Sequence, residues 1–279
     1  LENNISELIN LLKFIQPSLE LDEEFDSFDE ILNELDGIIL RRTKQEVLTE
    51  LPDKLDQTVY LRMNKIEKES YSSYLEIYKK MAQNDVKKNI FAYITKLKQL
   101  CNFPDNSNKS TKIEFIQNLL FEEGNKKPKI IVFSQYVETL KKIAIELEDN
   151  VDEIHLYHGS MSKDERDKTI ESFQNTSNSS IILISLKAGS VGLNLQSATH
   201  VILFDRWWNP AVEEQAISRA HRMGRKEPLS VYRFIMTDSI EEKIEQLLDE
   251  KKKLIDRVDE KAEKFTIKIT DELVDYILD

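Results

Sequence analysis

Residues 181–204 read IILISLKAGSVGLNLQSATHVILF, opening and closing on the short apolar runs IILIS (181–185) and HVILF (200–204). Continuous runs of this length, without alternation, suit strands buried on both faces. Similar runs flank them: KIIVF (129–133) and IHLY (154–157) before, VYRFI (231–235) after. Helical stretches lie between most of these runs. One is opened by the capping box Ser162/Glu165 and another by Asn209 with Pro210 at the first helical position. Strands alternating with helices predict an α/β fold with a parallel sheet covered on both faces. Ligands on such sheets bind outside the carboxyl ends of the strands. The polar motifs of this chain follow directly on the apolar runs.

The first half reads as mostly helical. TKQEVLTEL opens at Thr43 with Glu46 three residues on, and Asn64 with Glu67 repeats that signal before IEKESYSSYLEIYKKMAQ. A further helix runs from about Asp85 to Cys101, with Ile90, Ile94, Leu97 and Leu100 at helical spacing. Residues 105–110 form a polar break, and a last helix starts at the pair Ser239/Glu242 and extends to about Asp259.

Apolar residues are 40% of the chain and charged residues 32%, a composition of the water-soluble globular class. No run approaches the roughly 18 apolar residues of a membrane span. The start at Leu1, inside an apparent helix, gives the expectation of a fragment of something longer. Cys101 is the single cysteine, which fits a reducing compartment and a packed core thiol. The net charge of −12 speaks against a nucleic-acid partner in bulk. Locally the balance reverses: between Arg206 and Arg233 stand five arginines and one lysine against three acids.

Two groups carry candidate chemistry, SLKAGSVGLNL (185–195) and QAISRAHRMGR (215–225). On a continuous helix Gln215, Arg219 and Arg222 are spaced four and three apart and share one face. Paired guanidiniums suit a polyphosphate, to which arginine donates in bidentate geometry. The plainer alternative is a pair of surface ion pairs with Glu213 or Glu214. In the first group two glycines allow backbone N–H groups to approach a phosphate or sugar, with Asn194 following. In DRWWNPA (205–211) Asn209 caps the next helix, and the adjacent Trp207 and Trp208 must point differently.

The string from Ile182 to Phe234 resembles motifs five and six of the Swi/Snf family of helicase-like ATPases. KIIVFSQY resembles that family's motif four, YHGSMSKDERDKTIESF the motif after it, and ILRRTKQEVLTELPDK the junction following the first lobe. LKQLCNFP and STKIEFI resemble the helical protrusion and its return, and TDSIEEKIEQLLDEKKKL the closing helix. The motifs occur in family order over nearly the whole chain. Two positions depart: the family usually has glycine at Ser190 and glutamine at Arg225. Phe103 stands where histidine is frequent.

The resemblance implies a RecA-like second motor lobe in four parts: the end of the first lobe and interlobe junction (1–50), a helical protrusion (51–108), the RecA-like lobe (109–236) and a brace helix with tail (237–279). It implies Arg219 and Arg222 as arginine fingers, with Gly192, Asn194 and Gln215 near the nucleotide. It implies contacts to double-stranded DNA at Ser134, Gln135, Gly159, Ser160, Lys187, Ala188 and Gly189, and a coupling element at Asp205, Trp208 and Asn209. ATP and Mg²⁺ are the implied cofactors, bound mainly by the first RecA-like lobe of the same polypeptide, so that the chain alone is expected to be inactive. A DNA-bound protein is an implied target; the setting expected from the high Asn, Lys and Ile usage and the single cysteine is the cytoplasm of a microbe, associated with its nucleoid.

None of the six glycines begins a P-loop. DEIH (152–155) matches the letters of a helicase carboxylate motif but stands before its apolar run, the wrong context for a metal site. A complete dinucleotide-binding enzyme is the second reading of the strand pattern, and it lacks G-x-G-x-x-G. A non-catalytic DNA- or partner-binding module is the third.

Overall fold

The computed structural model describes residues 52–82, 90–189, 193–222, 224–225 and 227–257. Among the described residues six strands form one sheet with parallel pairings: β1 (Lys54–Leu61), β2 (Lys129–Ser134), β3 (Glu153–Tyr157), β4 (Ser180–Ser185), β5 (His200–Leu203) and β6 (Leu229–Met236). Their order across the sheet is β1-β6-β5-β2-β4-β3. The helices are α1 (Lys65–Ala82), α2 (Ile90–Asn102), α3 (Thr111–Glu123), α4 (Val137–Glu146), α5 (Lys163–Asn175), the single turn α6 (Leu186–Gly189), α7 (Pro210–Ile217) and α8 (Ile240–Arg257).

Because successive strand residues point to opposite faces, each apolar run feeds two cores. Ile131 and Phe133, Ile182 and Ile184, and Val201 and Leu203 pack with Phe173 of α5 and Ala216 and Ile217 of α7. Their neighbours Ile130 and Val132, Ile181 and Leu183, and Ile202 pack on the other side with Ile116 and Leu120 of α3 and Leu140 and Ile143 of α4. The expected parallel sheet covered on both faces is therefore present.

β1 was not expected from the sequence. Residues 54–61 fall within the segment assigned to a helical protrusion, but all eight pair with β6, Lys54 opposite Leu229 through Leu61 opposite Met236. As an edge strand, β1 needs few apolar positions. Val59 and Leu61 pack on the core, while Leu55 and Tyr60 are exposed. The helical part begins at Lys65.

The capping signals perform as their chemistry requires. The Ser162 hydroxyl accepts from Glu165 N–H while the Glu165 carboxylate accepts from Ser162 N–H. Asn64 and Glu67 make the same reciprocal pair at α1, and Glu67 also accepts from the backbone and hydroxyl of Thr111. One buried carboxylate thus joins the starts of α1 and α3. Ahead of α8 the Ser239 hydroxyl accepts from Glu241 N–H, and Glu242 accepts from Asp238 N–H. The helix expected at 43–51 and the start of the one expected from Asp85 lie outside the described residues.

Candidate functional site

Strands β2, β4 and β5 end side by side, with Phe133 opposite Leu203 and Ser134 opposite Ser185. Beyond these ends Lys187 is exposed and Gln135 half-buried, and beyond β3 Gly159 and Ser160 are exposed. Three other residues expected to meet DNA face inward instead. Ser134 is fully buried, its hydroxyl donating to Asp205. Ala188 and Gly189 are buried because α6 folds back over the end of the sheet. A Cβ on Gly189 would lie 2.9 Å from Phe133 Cε1 and 3.3 Å from Ile184 Cγ2. The glycine serves this close approach, and Gly189→Ala is expected to cost about 1–3 kcal/mol in stability, read as a lower urea midpoint. An unchanged midpoint would show that α6 shifts freely.

Asp205 is the hub of the rim. Fully buried, it accepts from the Ser134 hydroxyl, from Gln135 N–H at 3.1 Å, from the Gln135 amide at 2.8 Å and from the Asn102 amide at 3.2 Å. Two lysines support it from the helical side. Lys98 donates to the Arg206 carbonyl at 2.6 Å and to Gln135 Oε1 at 3.1 Å, with its ammonium 5.5 Å from the centre of the Trp208 ring. Burial pushes the Lys98 pKa down, against the pull of Asp205 and Glu241. Lys112 donates to Asn102, to the Phe204 carbonyl and to both oxygens of Glu241, the last at 2.8 and 2.9 Å. The coupling residue expected at Asp205 is therefore wired to α2, α3 and α8.

Sequence reasoning missed both lysines. The available signal was position: Lys98 lies four residues after Ile94 and three before Cys101, on the apolar stripe of α2, and Lys112 precedes Ile113 in α3. Both tryptophans are half-buried, so they differ in contact more than in exposure: Trp207 packs on the core and Trp208 lies beneath Lys98. Asn209 caps α7, accepting from Ala211 N–H at 3.0 Å.

The arginine pair departs from the expected helical face. α7 ends at Ile217, and the chain tightens into i→i+3 bonds, Arg219 N–H to Ala216 O at 3.1 Å and Ala220 N–H to Ile217 O at 3.0 Å. The Arg219 carbonyl, which a continuing helix would offer to the residue four on, accepts from Leu195 N–H at 3.1 Å. Arg219 and Arg222 therefore stand on a turn after the helix, and Arg222 is exposed. That bond also brings the two motif groups together, since Leu195 follows Asn194. Gln215 is half-buried on α7, Asn194 is exposed, and Gly192 lies outside the described residues.

The carboxylates proposed as plain partners are engaged elsewhere. Glu213 accepts from Arg206 Nη1 and from Trp207 N–H at 2.8 Å, and Glu214 accepts from Lys54 at 3.2 Å and Arg233 at 2.6 Å. Burial pushes the Glu213 carboxyl up to about 7, and the Arg206 guanidinium is the chief group opposing that push. Asp152 and Glu153 lie at the amino end of β3, away from the rim. Asp152 accepts from Ser179, and Glu153 from Thr176 and Asn178.

Comparison with known proteins accords with this geometry. The helicase conserved C-terminal domain matches residues 111–224, and the SNF2-related domain matches residues 1–106. An ATP-dependent helicase of Mycoplasma pneumoniae is 35% identical over 276 residues, covering 92% of this chain and 27% of its own. The human SWI/SNF-related matrix-associated actin-dependent regulator of chromatin subfamily A member 1 is 31% identical over 283 residues, covering 88% of this chain and 27% of its own. The chain thus spans about a quarter of the length of these curated relatives. Among solved structures, the Sulfolobus solfataricus SWI2/SNF2 ATPase core in complex with dsDNA superposes with a TM-score of 0.66 at 29% identity, over 89% of this chain and 55% of that one. On its motifs, its parallel sheet and these matches, the chain belongs to the Swi/Snf family of helicase-like ATPases, as the C-terminal RecA-like lobe.

Proposed function

We propose that this chain is the second motor lobe of an ATP-driven translocase on double-stranded DNA, supplying arginine fingers and part of the DNA track. The observation that carries the reading is Arg222. It stands exposed on a turn near the amino ends of β1 and β6, where His221 meets the Pro52 carbonyl and Arg225 the Pro228 carbonyl, tied through Arg219 to the segment that follows Asn194, while Glu213 and Glu214 are engaged by other cations. A guanidinium so placed is available to a phosphate brought by a facing lobe, where it would neutralise charge developing on the transferring γ-phosphoryl group.

Gln215 and Asn194 flank the same turn and suit positioning of the nucleotide. Mg²⁺, when bound, neutralises phosphate oxygens. Its carboxylates are assigned to the first lobe, because Asp152 and Glu153 already accept from Ser179, Thr176 and Asn178. Fingers delivered only on closure make hydrolysis depend on the lobes coming together. Gln135, Gly159, Ser160 and Lys187 are the accessible candidates for the DNA track, and contacts to phosphate position a protein without reading sequence. The dsDNA bound to the archaeal neighbour supports this choice of partner.

The test is ATP turnover by the two-lobe protein with and without duplex DNA. Stimulation by duplexes of unrelated sequence, weakening as salt rises, is the expected outcome. Turnover indifferent to DNA would sink the motor reading and leave a binding module.

A further inference from the structure

Arg225 is 8% exposed, and the hydrogen bonds of its guanidinium go to backbone carbonyls. Nη1 donates to Gln196 O at 3.0 Å and Ala198 O at 2.6 Å, and Nη2 donates to Pro228 O at 2.7 Å. Burying a cation is costly unless its donors are satisfied. Here Nη1 and Nη2 are satisfied from two separate stretches, the one after Asn194 and the one leading into β6, while Nε is buried without a hydrogen-bond partner. The planar fork of arginine can span both, which the point charge of a lysine cannot.

The span encloses the turn that carries Arg222. One anchor is the bond from Leu195 N–H to Arg219 O; the other is Arg225 gripping Gln196 and Ala198. Arg222 sits three residues from each anchor. Between it and Arg225 the backbone makes a bond from Arg225 N–H to Arg222 O at 3.3 Å, and Gly224 adopts φ +88°, a conformation that L side chains rarely take. The turn is thus held at both ends, at Arg219 and at Arg225, against residues 195–198.

We infer that Arg225 is a positioning residue that fixes Arg222 for phosphate by clamping the 219–225 turn to the 195–198 segment. The inference rests on the finger role proposed above. Arg225 itself, facing carbonyls, touches no nucleotide. Loss of the clamp lets the tip of the turn wander, and a displacement on the order of 1 Å in a catalytic group costs on the order of 10²-fold in rate.

The experiment is a cycle of Arg225→Ala, Arg225→Lys and Arg222→Ala in the two-lobe protein, with steady-state turnover at saturating duplex DNA. Arg225→Ala is expected to lower kcat roughly 10- to 100-fold, with KM for ATP and affinity for DNA within about twofold of wild type. Arg225→Lys, which can hold one stretch but not both, is expected to fall between. If the alanine variant does not fold, the lysine variant decides, and a kcat equal to wild type in it overturns the inference. The double variant Arg222→Ala, Arg225→Ala should be no slower than Arg222→Ala alone, because Arg225 acts through that side chain. Additive losses, or a rise in KM with kcat unchanged, would show an independent role and overturn the clamp. Should Arg222→Ala itself leave kcat unchanged, the finger reading fails first, an outcome separate from either of these.

Discussion

Replacing Arg222 with alanine in the two-lobe protein is expected to abolish most DNA-stimulated ATP hydrolysis while leaving DNA binding intact. An arginine finger contributes about 10³–10⁵ in rate. Arg222 is exposed on the turn beyond α7, so its removal leaves no buried partner unsatisfied and no cavity. The thermal midpoint should therefore stay within about 1 °C, in the range of surface substitutions. This separation of rate from stability is the informative part. A fall in rate accompanied by a comparable fall in DNA affinity would move Arg222 to the nucleic-acid face. An unchanged rate would mean that the arginine is structural.

The second large effect lies inside the lobe. Lys112→Met should destabilise the chain by roughly 3–5 kcal/mol, because it strands the Glu241 carboxylate where both partners are fully buried. Burial already pushes the Glu241 carboxyl above its ordinary range, and Lys112 is the chief group opposing that push. The same substitution removes the donors to Asn102 Oδ1 and the Phe204 carbonyl. Pairing Lys112→Met with Glu241→Leu should recover much of the loss, since well-packed apolar replacements of a buried ion pair are often neutral or stabilising by about 1–4 kcal/mol. Denaturant melts of the two single variants and the double variant measure this directly. A double variant as unstable as the singles would show that the surrounding network requires Lys112 for more than its charge.

That network also shows where sequence reading reached and where it stopped. Strands β2, β4 and β5 were legible because both faces are buried, which forces unbroken apolar runs at 130–133, 181–184 and 201–204. The capping pairs at Asn64, Ser162 and Asn209 were legible because each needs only local spacing. β1 was not, because an edge strand with one-sided contact imposes almost no pattern on KLDQTVYL. The end of α7 was not legible either: what stops it is a bond from Leu195, a residue 24 positions before Arg219 in sequence. Buried lysines illustrate the same limit. Lys98 and Lys112 read as surface residues until Asp205, Gln135 and Glu241, all distant in sequence, are brought to them. The inward turn of Ser134, Ala188 and Gly189 follows the same rule, since it depends on Asp205 and Phe133.

The pairing of β1 with β6 joins residues 175 positions apart, Lys54 to Leu229. At a synthesis rate of roughly 5–20 residues per second, the nascent strand waits on the order of 10–30 s before its partner leaves the ribosome. Through that interval Leu55, Val59, Tyr60 and Leu61 belong to a segment with an unsatisfied backbone and no sheet to join. Charge guards it: Lys54 and Asp56 flank Leu55 and Arg62 follows Leu61, as gatekeeper residues do in segments that must stay unpaired for a time. Among the described strands the last one made thus retires the first, and vectorial synthesis leaves the pairing of β1 to the emergence of residues 229–236.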